Sequence, residues 1–146
     1  MPEKETLERA RRDKEEGKSP STQAGEFVRE EIEHVREGKH GARSTKQAIA
    51  IGLSKARRAG VDLQPSPNSS EEVKEQAARD MRKARSGKKA AKSSKRSRAT
   101  SKALKREGHS AASRKALSKQ ARTAAKKRSA ASRSRSAKKA AATRKK

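Results

Sequence analysis

Apolar residues recur at helical spacing in two neighbouring stretches near the start of the chain. Within each stretch the spacing is mostly three or four residues, which places the apolar side chains on one face of a helix. The pattern predicts helices over 22–37 and 45–59, which Gly38 and Gly60 end. The apolar positions of the two helices, in chain order, are Ala24, Phe27, Val28, Ile32, Val35, Ala48, Ile49, Leu53 and Ala56.

Hydroxyl side chains stand at the expected starts of both helices. Ser21 or Thr22 can cap the first helix, and Ser44 with Gln47 forms a capping box at the start of the second. Two amphipathic helices joined by a short connector predict an antiparallel or angled pair. We call residues 21–63 the head. Its expected core consists of Phe27, Val28, Ile32, Val35, Ile49, Leu53, Val61 and Leu63.

Segments of different composition flank the head. Residues 1–20 contain few apolar residues, and they are predicted to form a polar N-terminal helix and a linker. Residues 64–68, Gln-Pro-Ser-Pro-Asn, form a linker by composition. A short amphipathic helix is predicted over 69–85, where Ser69 and Glu72 make a second capping box.

The net charge lies entirely in the last part of the chain. Residues 1–80 contain 16 Lys and Arg and 16 Asp and Glu, so their charges cancel. Residues 81–146 contain 26 Lys and Arg against one acid, Glu107, which accounts for the whole formal charge of +25. A segment with so large an excess of one charge indicates a polyanionic partner.

Residues 86–146, which we call the arm, have almost no large apolar side chains to offset the entropy of ordering. Because like charges also repel, we expect the arm to be disordered. Segments 99–106 and 111–128 are rich in Ala, Lys and Arg, and they should become helical when phosphates neutralise them. The predicted fold class is therefore all-α, a small helix-pair head with a largely disordered, helix-competent basic C-terminal arm.

Nucleic acid is the polyanion that best matches the arm. A charge of +25 would neutralise on the order of 40 Å of duplex, roughly a dozen base pairs. The arm has no aromatic residue to stack on bases, and Gln120 is its only amide side chain, so binding should be independent of sequence. We expect binding and compaction of nucleic acid, preferably DNA. The alternatives are an RNA- or ribosome-associated protein and a disordered, stress-related polyelectrolyte.

The side chains expected to contact phosphates come from the connector and second helix of the head and from the arm. They are the basic residues Arg43, Lys46, Lys55, Arg57, Arg58, Lys88, Lys89, Lys95, Arg96, Arg98, Lys102, Lys105, Arg106, Arg114, Lys115, Lys119, Arg122, Lys126, Lys127, Arg128, Arg133, Arg135, Lys138, Lys139, Arg144, Lys145 and Lys146.

The two head helices carry opposite charges, and three interpretations are open. The basic second helix lies on nucleic acid while the acidic first helix, 22–37, faces away. Alternatively, the acidic helix binds the arm and holds it off nucleic acid. In the third interpretation the two helices simply attract each other. The acidic residues of the first helix are Glu26, Glu30, Glu31, Glu33 and Glu37.

Catalytic and metal-binding motifs are not expected. The chain has no cysteine, no phosphate-binding glycine loop and no serine-nucleophile motif, so we expect neither an enzyme nor a cofactor. His34, His40 and His109 are its only histidines. His34 and His40 are six residues apart on either side of Gly38, so they do not share a helix face and predict no metal site.

No apolar run approaches the roughly 18–20 residues that span a bilayer. The N-terminus mixes acidic and basic residues and resembles no signal peptide. With only two leucines, the arm could adsorb to anionic lipid but should not insert stably. We therefore expect a cytoplasmic, nucleoid-associated protein, with the question of homo-oligomerisation left open.

Two similarities to known proteins point to nucleic-acid binding. The segments STQAGEFVREEIEHVREGKH (21–40) and GARSTKQAIAIGLSKARRAG (41–60) resemble a family of small basic bacterial proteins whose domain has no known function. Some members are described as DNA-binding or histone-like from their composition, and residues 113–122 share the resemblance more loosely. Residues 136–142 are similar to the Lys/Ala-rich tails of linker histones and of histone-like bacterial proteins.

A faint internal repeat is a further hypothesis. Residues 36–40, Arg-Glu-Gly-Lys-His, are echoed by 106–109, Arg-Glu-Gly-His. Residues 53–57 are echoed by 117–122, with a shorter connection between the matched stretches. A degenerate repeat would explain why the only acid of the arm stands where it does.

Overall fold

A computed structural model describes residues 2–87, 91 and 93–145. Over these residues the chain forms seven α-helices and no strand, which confirms the predicted all-α class. A short 3₁₀ turn, Ser110–Ala112, precedes the sixth helix. The helices are α1 (Lys4–Glu15), α2 (Pro20–Arg36), α3 (Thr45–Arg58), α4 (Glu71–Ser86), α5 (Ser94–Arg106), α6 (Arg114–Lys126) and α7 (Ala130–Arg144).

The head contains the helix pair that its apolar pattern predicts, with α2 packed against α3. Helix α2 starts earlier than expected, because Ser19 rather than Ser21 or Thr22 is the capping residue. Pro20 occupies the first helical position, where a missing backbone N–H costs no hydrogen bond. At the other end Gly38 has a φ of 77° and ends the helix as predicted.

The start of α3 follows the predicted capping box with one change. Ser44 accepts a hydrogen bond from the backbone N–H of Gln47 at 3.2 Å. The Gln47 side chain accepts in return from the N–H of Arg43 at 2.7 Å, one residue before the expected partner. The cap of helix α4 also lies one residue later than predicted, since Ser70 rather than Ser69 accepts the capping hydrogen bond from the backbone N–H of Val73. Helix boundaries thus shift by one or two residues, while each helix remains where the pattern puts it.

Two small clusters form the core, and alanine supplies much of both. The first cluster centres on Phe27, which is 1% exposed, and the second on Val35, which is fully buried. Ile49 was expected in the core but is only half-buried, so that prediction was wrong. The first cluster contains Ala10, Ala24, Phe27, Ala56 and Val61, packed by Leu53 and Leu63; the second contains Ile32, Val35, Ala42, Ala48, Ala111 and Ala112, packed by Val28 and Leu117.

Close approach of α2 and α3 explains why small residues suffice. A Cβ added at Gly52 would lie 2.7 Å from the Cα of Val28, so the two backbones touch there. Ala48 and Ala56 on the same helix are fully buried. Because the helices are this close, larger side chains such as Ile49 lie at the edge of the interface rather than within it.

Helices α1 and α4 pack on the two sides of this pair. Helix α1 buries Ala10 and Thr6, and its Arg9 donates to Glu26 of α2 at 2.6 Å. Helix α4 buries Ala77 and Asp80 against α3. The head is therefore the centre of a four-helix body, and the prediction of a small helix pair by itself was wrong.

The arm is helical over the residues described, so the prediction of a disordered arm was wrong. The two segments judged helix-competent, 99–106 and 111–128, lie largely in α5 and in the 3₁₀ turn with α6. Serine caps α5, α6 and α7, and Ala, Lys and Arg favour helix. The error has a physical cause: part of the arm does have apolar surface to bury, namely Ala111, Ala112 and Leu117.

Candidate nucleic-acid interface

Residues 104–117 of the arm dock on the connector between α2 and α3. The backbone N–H of Gly41 donates to the carbonyl of Leu104 at 2.9 Å, and that of Ala42 donates to Gly108 at 3.0 Å. A Cβ added at Gly41 would lie only 1.9 Å from the carbonyl oxygen of Glu107. Glycine is therefore required at position 41 for the two chain segments to meet.

Side chains of the head hold the next part of the arm. The Thr45 hydroxyl donates to the carbonyl of Ala111 at 2.6 Å in a buried contact, and Arg36 donates from Nε to Ala112 at 2.9 Å. Ala112 is fully buried, and Leu117 of α6 packs on the same cluster. The arm is thus attached to the head through backbone carbonyls, which leaves its basic side chains out of the interface.

All basic residues of the arm that the structure describes are exposed. Over the described ranges, none of them forms an ion pair with a carboxylate. Three of the expected contact residues, Lys88, Lys89 and Lys146, lie outside the described residues. The exposed ones are Lys95, Arg96, Arg98, Lys102, Lys105, Arg106, Arg114, Lys115, Lys119, Arg122, Lys126, Lys127, Arg128, Arg133, Arg135, Lys138, Lys139, Arg144 and Lys145.

Helical spacing groups many of these cations into stripes. On α6 the stripe consists of residues 115, 119, 122 and 126, which follow one another at four, three and four positions and span about 16 Å. On α5 Arg98, Lys102 and Lys105 lie along a comparable stripe, with the hydroxyls of Ser97 and Ser101 beside them. Ammonium, guanidinium and hydroxyl groups in one row are the donors that phosphate oxygens accept from.

The five head residues expected to bind phosphates divide into two groups. Arg43 and Lys46 are exposed, and Arg43 lies 3.5 Å from the carboxylate of Glu107. The other three, Lys55, Arg57 and Arg58, bind carboxylates or a backbone carbonyl of the protein itself.

Lys55 lies against two carboxylates of α2. Its Nζ contacts Glu31 closely and lies 3.5 Å from Glu30. Burial alone would raise the pKa of Glu30, but hydrogen bonds from the Thr6 side chain and the Glu3 backbone, together with the charge of Lys55, hold it below its ordinary value. This contact favours the interpretation in which the acidic and basic helices attract each other. Over the described residues no arm cation pairs with a carboxylate of α2.

Arg57 and Arg58 stabilise the junction with the segment after α3. Arg57 is 8% exposed and donates from Nε to the carbonyl of Leu63 at 2.8 Å. Burial lowers its pKa below the ordinary value. Arg58 donates from Nε to Asp80 at 2.8 Å. The candidate interface that remains consists of Arg43, Lys46 and the arm.

The structure also brings together a group of side chains that the sequence pattern did not predict. Glu31, His34 and His40 each offer one ligand atom within 4.8 Å of the others, and the two imidazole rings have centroids 6.1 Å apart. The histidines do not share a helix face, as predicted. However, the turn at Gly38 folds the chain back so that His40 returns to the end of α2. Residue spacing alone carries no signal for such a turn-dependent cluster.

The echoed segments 36–40 and 106–109 differ in backbone conformation: Glu37 is helical and Gly38 has a φ of 77°, whereas Glu107 is extended. Each lies between the end of one helix and a serine that caps the next, and Ser44 and Ser113 accept from the N–H three residues later. The two turns also dock on each other through the hydrogen bonds at Gly41. The degenerate repeat therefore stays a prediction.

Comparison with other proteins adds a family match but no activity. Among the helices described, none is long and apolar enough to cross a membrane. No curated protein and no solved structure matches the chain. The match covers α2, α3 and part of α1, which belong to the body of the molecule on which the arm docks. Residues 11–66 match the family of unknown function DUF6496.

Proposed function

We propose that this protein binds duplex nucleic acid, preferably DNA, without sequence specificity and compacts it. The observation that carries the proposal is the exposure of every described basic residue of the arm, with no ion pair to a carboxylate among them. A surface of this kind gains free energy by releasing the counterions that condense on phosphates. In a cell the protein would then be found on the nucleoid.

The arrangement of the cations favours duplex over single strands. The arm contains no aromatic side chain for base stacking, which dominates single-strand recognition. Its stripes on α5 and α6 instead suit the regular phosphate rows of a duplex. With Gln120 as the only amide side chain of the arm, sequence readout has almost no donor and acceptor pairs to use.

Compaction follows from the number of cationic helices. Helices α5, α6 and α7 are joined by turns and each carries its own basic residues. One molecule can therefore contact two duplex segments at once, which neutralises their repulsion and holds them together.

The test compares two variants that remove the same charge from different helices. In the first, the α6 stripe is neutralised by Lys115→Gln, Lys119→Gln, Arg122→Gln and Lys126→Gln. In the matched control, four exposed cations of α1 are neutralised by Lys4→Gln, Arg11→Gln, Arg12→Gln and Lys14→Gln. Fluorescence anisotropy would follow binding to a 30-base-pair duplex, to single-stranded DNA and to duplex RNA over a range of salt concentrations.

For the unaltered chain, log K should fall steeply with log salt. The slope should weaken by about 0.9 for each phosphate that the protein no longer neutralises, hence by about 3.6 in the α6 variant. The α1 variant should keep nearly the whole slope. Equal weakening in both variants, or a flat salt dependence, would contradict the proposed interface. Tighter binding to duplex RNA than to DNA would favour the RNA-associated alternative.

A further inference from the structure

A cluster of ligand-type side chains lies where the end of α2 meets the connector. Glu31 is 1% exposed, and the side chains of His34 and His40 are 13% and 17% exposed. The cluster lies beside the docking surface of the arm, but it contains none of the proposed phosphate-binding side chains. Its hydrogen bonds decide which atoms of the two imidazoles are free.

In the first imidazole, that of His34, one nitrogen acts as a hydrogen-bond donor. His34 Nε2 lies 3.0 Å from Oε1 of Glu3, and an ionised carboxylate can only accept a hydrogen bond. The hydrogen of a neutral His34 ring is therefore on Nε2. Its Nδ1 then carries a lone pair, and this atom faces Oε1 of Glu31 at 3.7 Å.

In the second imidazole, that of His40, the hydrogen-bond donor is Nδ1 and the free nitrogen is Nε2. His40 Nδ1 lies 2.9 Å from the carbonyl oxygen of Gly41, which can only accept. A neutral His40 ring therefore has its hydrogen on Nδ1. In this neutral form Nε2 would present a lone pair to Oε2 of Glu31 at 3.2 Å, and the two atoms would repel each other. A proton or a metal ion between these atoms would turn the repulsion into attraction, and the ring shifts measured below distinguish the two.

We propose that Glu31, His34 and His40 form a binding site for a divalent transition-metal ion of the zinc class. The ligand atoms are Oε2 of Glu31, Nδ1 of His34 and Nε2 of His40. In known sites a metal-bound histidine donates its other N–H to a carboxylate or a backbone carbonyl, as His34 does to Glu3 and His40 to Gly41. Two imidazoles and one carboxylate suit Zn²⁺, Co²⁺ and Ni²⁺.

The spacing of the ligand atoms fits a small ion. Tetrahedral ligands at about 2.0–2.2 Å from zinc are roughly 3.4 Å apart. The 3.2 Å between His40 and Glu31 is already close to that value, and one ligand atom from each of the three side chains lies within 4.8 Å of the others. Binding would therefore require only small side-chain movements.

The surrounding charges also permit a cation. Lys55 contacts Oε1 of Glu31, which leaves Oε2 for the metal. The ion pairs around the histidines contain four carboxylates, those of Glu3, Glu30, Glu31 and Glu37, and two ammonium groups, those of Lys39 and Lys55. This leaves two excess negative charges. A bound ion would link α2 to the connector, and Gly41 of that connector receives the arm.

The experiment uses the full chain with Co²⁺ as a spectroscopic probe and Zn²⁺ as the competitor. We expect one Co²⁺ per chain, with visible absorption bands that Zn²⁺ or a chelator abolishes. His34→Ala and His40→Ala should each weaken binding at least tenfold, in line with the loss of a ligand. The control is His109→Ala, which removes the third, exposed histidine and should bind as the unaltered chain does.

A second measurement does not depend on the stability of variants. Nitrogen-15 chemical shifts of the histidine rings should show Zn²⁺ on Nδ1 of His34 and on Nε2 of His40. Absence of stoichiometric binding would overturn the proposal. So would binding that survives loss of both His34 and His40, or ring shifts showing both imidazoles fully protonated and unchanged by Zn²⁺. In that last case the two rings would be counterions of Glu31.

Discussion

The backbone N–H of Gly41 donates to the carbonyl of Leu104 at 2.9 Å, and this hydrogen bond fastens the arm to the head. Beside it the carbonyl oxygen of Glu107 occupies the place where a side chain at position 41 would begin. The contact joins two turns with similar sequences, and no side chain larger than that of glycine fits at position 41 while the two segments stay in contact.

Gly41→Ala should detach this part of the arm, because the added Cβ would lie 1.9 Å from a backbone oxygen that cannot easily move. Backbone shifts of this kind cost about 1–3 kcal/mol. The melting temperature should fall, and amide hydrogens around Ala112 should exchange faster.

The matched control is Gly25→Ala on α2. A Cβ at Gly25 would have no neighbour within 4 Å, and alanine favours helix by about 1 kcal/mol over glycine. The control should therefore raise the melting temperature. If Gly41→Ala is as stable as the unaltered chain, the docking of the arm is not as described.

The single aromatic residue of the chain should be essential for folding. Phe27 is 1% exposed at the centre of the first core cluster, so Phe27→Ala should cost about 3–5 kcal/mol. That is a large part of the stability of a small domain. Leu7→Ala, at a residue that is 41% exposed, should change the free energy of unfolding by less than about 1 kcal/mol. Urea unfolding followed by circular dichroism measures both, and equal effects would contradict the assigned core.

The local pattern of the sequence was enough to locate the helix pair. Val28, Ile32 and Val35 repeat at spacings of four and three, and Ser44 and Gly38 mark helix ends, because these preferences act within a few residues. Ile49 fits the same spacing yet lies at the edge, since the close approach at Gly52 is a property of the packed pair.

Contacts between residues far apart in the sequence could not be predicted from the local pattern. Ala111 and Ala112 look like ordinary residues of a basic segment, and only the docked connector shows that they are buried. The histidine cluster depends on the backbone turn at Gly38 and on the fold that brings Glu3 to His34. Both features arise from tertiary structure, which periodicity and spacing do not specify.

The buried carboxylate of Asp80 should make the junction of α3 and α4 sensitive to acid. Burial alone would raise its pKa, but hydrogen bonds from Ser54, Arg58 and Gln76 outweigh burial and hold the pKa below the ordinary value of 3.8. Because the folded protein then binds the proton less readily than the unfolded chain, its stability is complete above that value. It should decline as the pH falls through the lower, folded pKa.

Asp80→Asn should remove this part of the pH dependence. Urea midpoints measured from neutral pH down to well below the ordinary aspartate pKa would show a shallower decline for the variant than for the unaltered chain. The control is Asp62→Asn, at an exposed aspartate, which should leave the profile unchanged. Parallel profiles for all three proteins would show that Asp80 does not contribute to the acid sensitivity.

Removing the last helix should separate nucleic-acid binding from folding. Helix α7 has no buried residue, so a chain ending at residue 128 should melt at the same temperature as the full chain. It lacks seven basic residues, and the salt slope of duplex binding should weaken by about 0.9 for each phosphate that those residues neutralise in the full chain. Removal of residues 86–146 should instead reduce both affinity and stability, because Ala111, Ala112 and Leu117 leave the second core cluster. A shorter chain that loses stability but keeps its salt slope would show that α7 is structural rather than part of the interface.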